Sequence, residues 1–188
     1  MKKQVSARKW RRAAFSSGET GGKEYGNATH AVMQYIRYEN CRDAASVAEE
    51  IRRLVEEGYI SPEYGQMAEP EKISGFFATE LGQKIRISAD VIREFKFSIL
   101  VDAGEEDPAL LGEKILLQGV VDCALVETDG ISIVDFKTDR VYDGEEEVVA
   151  NRYRGQIDTY AKALERIFEK QIKAKYLYLF HINKLLKL

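Results

Sequence analysis

The sequence predicts a single α/β domain built on a mixed sheet, and three observations support this fold class. Apolar residues recur at helical spacing in the first half of the chain, then alternate with polar residues as in β-strands, and return to helical spacing near the end. Asp129-Gly130 stands between two β-rich runs, which is a strong hairpin signal. The expected order is therefore three helices, three strands, one helix and one strand.

The start of the chain is predicted to lie outside the domain. Residues 1–23 form a basic, flexible arm and a Gly/Ser-rich loop, the domain spans residues 24–188, and loop-like composition continues to residue 29. Residues 18–23 resemble a phosphate-binding loop, but Ser17 and Glu24 stand where that motif needs Gly and Ser or Thr, so no nucleotide site is expected. The arm is most simply a mobile, solvated end, although its basic residues have no acid among them: Lys2, Lys3, Arg8, Lys9, Arg11 and Arg12.

A first amphipathic helix is predicted from about Asn27, capped by Asn27 or by Thr29. His30 lies at the edge of its apolar face, which carries Val32, Met33 and Ile36. A histidine in such a position is more often a buried core residue than a metal ligand, so this pattern alone leaves both roles open.

Two further helices follow. One begins after Asp43 and ends near Gly58, and the other begins at Glu69-Pro70, with proline in its first turn, and ends at Gly82. Each is expected to pack by a single apolar face, which comprises Ala44, Val47, Ile51, Leu54 and Val55 in the second helix and Ile73, Phe76, Phe77 and Leu81 in the third.

Alternation with period two predicts the strands. In the first strand, polar Glu94, Lys96 and Ser98 alternate with apolar residues. Glu94 is interpreted as a solvated residue of an edge strand, with an additional acid near a metal as the alternative. The predicted strands cover residues 91–101, 115–126, 131–137 and, after a helix over 149–170, residues 175–182.

The hairpin strands carry three charged residues that are chemically informative: Asp122, Asp135 and Lys137. If the turn centres on Asp129-Gly130, Lys137 lies opposite Asp122, and Asp135 lies opposite Ala124. Opposed residues share a face of a sheet, as do residues two apart, so all three charges are predicted to lie on one face.

Two acids and a lysine among apolar neighbours are costly unless they are paired or hold an ion. One interpretation is a structural Asp–Lys ion pair at a strand end. The other is a site in which two carboxylates bind a hard divalent cation, Mg²⁺ or Mn²⁺, beside a lysine that orients or helps to deprotonate an attacking water. Residue spacing alone leaves both interpretations open.

Longer motifs surround these residues. Gly119-Val120-Val121-Asp122 is followed, after twelve residues, by Asp135-Phe136-Lys137-Thr138-Asp139, and four further segments occur in a fixed order: Gly26-Asn27-Ala28-Thr29-His30, Arg93-Glu94-Phe95-Lys96-Phe97, Gln156-x-x-x-Tyr160 and the closing strand at 175–180. This set resembles the PD-(D/E)xK nuclease superfamily, more narrowly the RecB-type exonucleases and the C-terminal nuclease domains of AddA helicase–nuclease subunits. The resemblance covers residues 24–182. One departure is Gly155, which weakens the helix before Gln156 by roughly 1 kcal/mol relative to Ala.

The resemblance implies a restriction-endonuclease-like core with N-terminal helices. It implies that His30, Asp122, Asp135 and the carbonyl group of Phe136 hold Mg²⁺, with Mn²⁺ as an alternative ion, and that Asp122, Asp135 and Lys137 are catalytic. Gln156 and Tyr160 share a helix face and line the active site by resemblance. Their spacing alone is equally consistent with core packing of Tyr160 and a backbone contact of Gln156.

By the same resemblance, the chain is a metal-dependent exonuclease domain that hydrolyses phosphodiester bonds of single-stranded DNA. Its partners would be the DNA, the helicase portion of a longer parent polypeptide acting in double-strand-break repair and recombination, and a second subunit such as AddB. The alternative is a catalytically silent nuclease-fold module that binds DNA or serves as a scaffold in a repair complex. A degenerate copy would have lost an acid or the lysine, and none is missing here.

Composition excludes other classes. Two cysteines, Cys41 and Cys123, are too few for a four-cysteine iron–sulfur cluster or a disulfide framework. The longest apolar stretch, residues 176–180, is far shorter than the ~20 residues of a spanning helix, and no secretory signal is present, so a cytoplasmic protein without membrane contact is expected. A net charge of −3 argues against a domain that binds DNA by electrostatic attraction alone. It is consistent with a domain whose DNA substrate is delivered by another part of a larger protein.

Overall fold

Six α-helices and one five-stranded sheet make up the described part of the chain. The computed structural model describes residues 20–105 and 108–188. Its elements are α1 (Thr20–Tyr35), α2 (Ala44–Glu56), α3 (Pro62–Met67), α4 (Pro70–Ala78), α5 (Glu80–Ile87), β1 (Val91–Asp102), β2 (Lys114–Glu127), β3 (Gly130–Lys137), α6 (Glu146–Phe168), β4 (Ile172–Leu179) and β5 (Lys184–Lys187). The basic arm predicted at the start of the chain lies outside the described residues.

The sheet has the order β1-β2-β3-β4-β5, and the pair β3 and β4 is parallel whereas the other neighbours are antiparallel. The crossover between the parallel strands is α6, because parallel neighbours need a long connection. Apolar residues of α1, α2, α4 and α5 form a core against one face, and residues of α6 pack on the other face. The predicted α/β domain with a mixed sheet is confirmed.

The first helix begins earlier than predicted. It starts at Thr20, so residues 20–29 are helical rather than a loop, and neither Asn27 nor Thr29 is its cap. The hydroxyl of Thr29 instead donates to the carbonyl oxygen of Tyr25, one turn back, at 2.9 Å. His30 therefore lies in the third turn of a continuous helix, which fixes its direction more firmly than a position near a helix start would.

The second helix is confirmed, and the third is in fact two helices. Asp43 caps α2 by accepting from Ser46 N, and Gly58 follows the helix with a φ of +75°. The hydroxyl of Thr79 donates to Phe76 O at 2.7 Å and accepts from Gly82 N at 3.0 Å, which ends α4 and caps α5. Gly82 is therefore inside α5 and is not a C-terminal cap. A Cβ there would lie 2.0 Å from Phe76 O, so the glycine permits close contact between the two helices.

Two short elements were absent from the prediction, namely α3 and β5. The helix predicted over 149–170 is α6, which begins three residues earlier. The closing strand predicted over 175–182 is β4, which ends at Leu179 and continues as a 3-10 turn over Phe180–Ile182 before β5.

The hairpin register differs from the prediction by two residues. Ala124 pairs with Ile133 and Glu127 with Gly130, so the turn consists of Thr128 and Asp129 and the predicted pairing of Asp135 with Ala124 is wrong, as is that of Lys137 with Asp122. Gly130 belongs to β3 because a Cβ there would lie 2.7 Å from Gln171 O, at the start of the neighbouring strand. A two-residue slip by itself leaves Asp135 and Lys137 on their predicted face of the sheet, whereas a one-residue slip would have reversed them. The prediction that Asp122 shares this face fails, because β2 changes face at that residue.

Candidate functional site

The sheet forks between β2 and β3 at Asp122. Backbone pairing of the two strands runs as far as Cys123 opposite Val134, and beyond it the carboxylate of Asp122 accepts the hydrogen bond of Phe136 N, at 2.9 Å from Oδ2. β3 meanwhile stays paired with β4 as far as Lys137. A side chain thus replaces a strand carbonyl where β2 diverges, and the resulting gap is where the candidate site lies.

The same position interrupts the pairing of β1 with β2. Between the pairs Arg93–Cys123 and Phe95–Val121, Glu94 and Asp122 stand opposite each other without a ladder pair. Glu94 has a φ of +48°, a left-handed conformation that is unusual for a non-glycine residue in a strand.

At Glu94 in β1 and at Asp122 in β2, each strand changes which of its side chains face α6. On β1, Ile92 and Phe95 both pack in the core beneath α6, although their spacing would place them on opposite faces of a regular strand. On β2, Val121 and Ala124 do the same. The interruption of both strands therefore allows Glu94 and Asp122 to point toward α1. His30 is the residue of α1 that faces them.

His30, Glu94 and Asp122 converge. Nδ1 of His30 lies 3.5 Å from Oδ1 of Asp122 and 3.9 Å from Oε1 of Glu94, and one potential ligand atom from each residue lies within 4.8 Å of the others. The side chain of Asp122 is 4% exposed and that of Glu94 16% exposed, so the cluster lies at the floor of the gap and remains accessible to solvent.

Asp135 lies in β3 beside this cluster and pairs with Lys137. The lysine Nζ is 2.5 Å from Oδ2 of Asp135, yet among the described residues that buried oxygen receives no hydrogen bond of good geometry. Burial raises the pKa of Asp135 to about 6; Lys137 opposes the shift and the negative charge of Asp122 adds to it. Asp122 is equally buried, but the attraction of His30 and Lys137 and the bond from Phe136 N outweigh burial and lower its pKa. Two neighbouring carboxylates with pKa values shifted in opposite directions are typical of functional sites.

Lys137 is held by a small network on α6. Its ammonium contacts Oε1 of Gln156 at 3.3 Å and lies 4.2 Å from the ring centroid of Tyr153, and Gln156 donates to the hydroxyl of Tyr160 at 2.6 Å. The hydroxyl of Tyr153 in turn donates to Asp139 at 2.9 Å. Gln156 and Tyr153, one turn apart on α6, thus hold the lysine ammonium together with Asp135.

Tyr160 is fixed by packing against β1 and β2. Its ring meets the ring of Phe97 edge to face, with centroids 5.8 Å apart, and both rings press on Gly119, where a Cβ would lie 2.8 Å from each. Gly119 is therefore required by close approach rather than by backbone conformation. Tyr160 is 4% exposed, so core packing and the contact with Gln156 occur together, as both interpretations of the sequence allowed.

The donor set suits a hard divalent cation. Carboxylate oxygens are the ligands that Mg²⁺ and Mn²⁺ prefer. An imidazole nitrogen is compatible with Mn²⁺ and with a site that combines oxygen and nitrogen ligands. The buried Oδ2 of Asp135 has the ammonium of Lys137 at 2.5 Å and, among the described residues, no hydrogen bond of good geometry. The residues present therefore fit a metal ion.

The structure places the predicted side chains in two neighbouring groups: His30 contacts Asp122, and Asp135, Lys137, Gln156 and Tyr160 form a chain of contacts. The negative charge of Asp122 acts on Asp135 and links the groups, although Asp135 is not among the three residues whose ligand atoms converge. Glu94 lies on an edge strand as predicted, but its side chain lies in the gap beside His30 and Asp122, which matches the alternative of an additional acid at the site rather than a solvated residue. Its position depends on the left-handed backbone, for which a glutamate gives no signal in a sequence. The metal roles predicted for His30, Asp122, Asp135 and the Phe136 carbonyl remain predictions.

Comparison with known proteins agrees with this geometry. A family model described as the PD-(D/E)XK nuclease superfamily matches residues 5–186. The chain is 39% identical over 160 residues, 84% of its length, to the A subunit of the ATP-dependent helicase/nuclease of Pelotomaculum thermopropionicum, and 36% identical over 168 residues, 87% of its length, to the protein of that name from Clostridium novyi. A third such protein, from Clostridium botulinum strain Okra, is 38% identical over 170 residues, 88% of the chain.

These relatives are much longer than the chain, which spans only 13 to 14% of their length. The resemblance inferred from the motifs, including that to the helicase–nuclease proteins, is confirmed. No α-helix in residues 20–105 and 108–188 combines the length and the apolar character that crossing a membrane requires.

Proposed function

The chain belongs to the PD-(D/E)XK nuclease superfamily, and from that premise we propose that it is a Mg²⁺-dependent exonuclease domain that hydrolyses phosphodiester bonds of single-stranded DNA. The observation that carries the proposal is the convergence of Asp122, Asp135 and Lys137 at the fork of the sheet, with His30 facing them from α1. A structural ion pair alone would need neither His30 nor the second carboxylate.

The metal ligands in this proposal are His30, Asp122, Asp135 and the carbonyl oxygen of Phe136. Asp122 has one oxygen bound to Phe136 N and the other turned toward His30, so its carboxylate is held rigidly with one oxygen directed at the proposed metal position. Asp135 is fixed through Lys137. Mn²⁺ is the alternative ion because it accepts the same ligands.

The chemistry divides between the ion and the protein. A bound ion would polarise the scissile phosphate and lower the pKa of a coordinated water. Lys137 is placed to orient the attacking water and to stabilise the negative charge that develops on the phosphate, and Gln156 keeps its ammonium in position. Tyr160 supports Gln156 through its hydroxyl group.

The wider context is also part of the proposal. The relatives carry names that combine helicase and nuclease, so we propose that this domain receives unwound single strands from a helicase portion of its parent polypeptide, with a second subunit such as AddB, in double-strand-break repair. A chain with a net charge of −3 fits delivery of the substrate better than independent capture. Because the proposed substrate is cellular DNA, we propose that the protein acts in the bacterial cytoplasm.

The proposal is tested by following hydrolysis of linear and circular single-stranded DNA by the chain, with Mg²⁺ and with chelator. We expect Mg²⁺-dependent release of nucleotides from linear DNA only, and its loss in Asp135→Ala but not in the control Asp143→Ala, which alters an exposed acid outside the gap. Equal activity of Asp135→Ala and wild type would refute the catalytic assignment. Binding of DNA without hydrolysis would instead support a silent module, and cutting of circular DNA would refute the exonuclease class.

A further inference from the structure

We propose that the outward face of β1 and β2, beyond the fork of the sheet, is the surface on which the single-stranded DNA lies as it enters the candidate site. This face, here called the β1–β2 platform, consists of alternate residues of the two paired strands, namely Lys96, Ser98, Leu100, Leu116, Gln118 and Val120. The inference deepens the function proposed above and rests on its single-stranded DNA substrate.

The platform is the side of the two strands that faces away from α6. Phe97 of β1 and Leu117 of β2 are buried in the core beneath α6, so the residues that alternate with them point the other way. Lys96 is exposed, and Leu100 is 62% exposed although it lies opposite another leucine, Leu116. An exposed apolar pair in the middle of a strand ladder is a candidate contact surface.

The platform continues the face of the candidate site. Glu94 and Lys96 are two residues apart in β1, and Asp122 and Val120 are two residues apart in β2, so each strand of the platform begins beside a carboxylate of the gap. A DNA strand whose scissile phosphate lies at these carboxylates would meet Lys96 as the first cation of the platform. The platform and the site therefore form one continuous surface.

Helix α1 meets β1 at the level of the site, and the platform extends beyond that point. The guanidinium of Arg93 donates to Ile36 O, directly after the end of α1, at 2.6 Å. From Lys96 to Asp102, β1 then runs for about 20 Å at a rise of about 3.3 Å per residue. This length suits a segment of about four nucleotides, the smallest site size of folds that bind single strands.

The side chains of the platform offer the contacts that an unpaired strand needs. Lys96 supplies a cation next to the site, and Nε2 of Gln118 donates to Oγ of Ser98 at 3.0 Å, which places an amide and a hydroxyl group side by side at the surface. Leu100 and Leu116 then form an apolar step. Unpaired bases have apolar faces that can pack on such a step and polar edges that can bond to the amide and hydroxyl groups.

The same composition favours a single strand over a duplex. Proteins contact a duplex largely through its phosphates, and its binding requires several cations. Lys96 is one such cation, but the lysine at the far end of the platform, Lys114, lies 3.4 Å from a carboxylate oxygen of Asp102, which balances its charge. An apolar step is of no use to a phosphate backbone, whereas it can pack against exposed bases.

The first test measures binding without hydrolysis. A fluorescent oligothymidylate of about 12 nucleotides, long enough to extend beyond the platform, is titrated with the 188-residue chain at low salt in the presence of chelator. We expect Lys96→Ala and Leu100→Ser each to weaken binding about fivefold. The matched controls are Lys187→Ala, at an exposed lysine of β5, and Ile87→Ser, at an apolar residue of α5 that is 78% exposed, and both should bind as wild type does.

Salt dependence separates the two kinds of contact. Lys96→Ala should reduce the slope of log affinity against log salt by about 0.7, because one phosphate contact of a single strand is lost. Leu100→Ser should leave the slope unchanged, since an apolar contact with a base releases no counterion. A duplex of the same length should bind about tenfold more weakly than the single strand, and Leu100→Ser should not alter its affinity.

A second test follows hydrolysis with Mg²⁺ and compares long and short substrates. Lys96→Ala and Leu100→Ser should each raise KM for the long oligothymidylate about fivefold at unchanged kcat. For a thymidine dinucleotide, which reaches the carboxylates but not the apolar step, KM and kcat of Leu100→Ser should equal those of wild type. An unchanged kcat of Lys96→Ala would also show that its site is intact.

The outcomes distinguish this inference from the function on which it rests. Unchanged binding of the oligothymidylate in both variants, equal affinity for duplex and single strand, or no binding by the wild-type chain overturns the platform, and hydrolysis of DNA by the same chain then leaves the nuclease function standing. Binding that depends on Lys96 and Leu100 without any hydrolysis leaves the platform standing and overturns the hydrolytic function. A lower kcat for the dinucleotide in Lys96→Ala overturns the role of this lysine on the platform.

Discussion

Oδ2 of Asp122 accepts the backbone hydrogen bond of Phe136 at 2.9 Å, across the point where two antiparallel strands separate. This one contact satisfies a buried N–H group that would otherwise lose its partner at the fork, and it fixes a carboxylate at the floor of the gap. The carboxylate of Asp122 therefore has a structural role, as the acceptor for Phe136 N, and also lies in the candidate site. Substitutions there disturb both, so the sharper tests use its neighbours.

Lys137 is the first of these neighbours. Lys137→Met keeps an unbranched apolar side chain but removes the ammonium, which lies over the Tyr153 ring. We expect kcat for single-stranded DNA to fall by about 10²–10³ because transition-state charge loses its stabilisation. The measurement is steady-state hydrolysis at saturating single-stranded DNA and saturating Mg²⁺. Lys184→Met, which removes an exposed ammonium paired with Glu146, is the matched control and should retain activity. An unchanged rate for Lys137→Met would remove the lysine from the mechanism.

Gln156 is expected to act through Lys137. Its amide oxygen receives the lysine ammonium at 3.3 Å, so Gln156→Ala should lower kcat about tenfold while KM changes little. Steady-state kinetics on linear single-stranded DNA separate the two constants. Gln83→Ala, on the exposed side of α5, should have no effect. A rise in KM at constant kcat would instead place Gln156 on the DNA.

Asp135 makes the stability of the metal-free protein depend on pH. Its pKa is raised from 3.8 to about 6 in the folded chain, so between those values the folded state binds more protons than the unfolded state, and this group's contribution to the free energy of unfolding falls as pH rises through the window. Asp135→Asn mimics the protonated carboxyl group. It should match wild type near pH 4 and exceed it above pH 6, by on the order of 3 kcal/mol.

Urea denaturation in the presence of chelator, at several pH values, measures this difference. Asp90→Asn, which alters an exposed carboxylate before β1, should leave the pH profile of wild type unchanged. Equal stability of Asp135→Asn and wild type at pH 7 would show that Lys137 compensates the buried charge completely.

Gly119 contacts Tyr160, and Gly155 directly precedes Gln156 in α6. Substitution of each glycine by alanine should change the stability of the protein in opposite directions. Gly119→Ala places a methyl group 2.8 Å from the rings of Phe97 and Tyr160, so we expect a loss of about 1–3 kcal/mol and lower activity as Tyr160 is displaced. Gly155→Ala meets no atom within 4 Å in the middle of α6 and should stabilise the protein by up to ~1 kcal/mol. Thermal unfolding of both variants beside wild type measures the difference. Similar effects of the two would contradict the packing described for Tyr160.

Sequence patterns account for much of the fold because its strongest signals are local. The shift from helical to strand periodicity located β1, β2 and β3 to within one residue at each end. Helix boundaries were harder to predict. Thr79 and Gly82 form the junction between α4 and α5 through their contacts with Phe76 O, and residue propensities do not predict these contacts. The hairpin turn was misplaced for the same reason, because Gly130 serves the approach of β4 rather than the turn.

What the sequence by itself determined is the set of chemical groups at the site and the shared face of Asp135 and Lys137 in β3. Strand side chains alternate with period two, so even a register wrong by two residues kept Asp135 and Lys137 on the same face. Only the tertiary structure decided that β2 leaves β3 at Asp122, that β1 reverses at Glu94, and that both carboxylates therefore meet His30. Those events depend on packing between elements far apart in the chain, and a left-handed glutamate has no local signal by which a sequence could announce it.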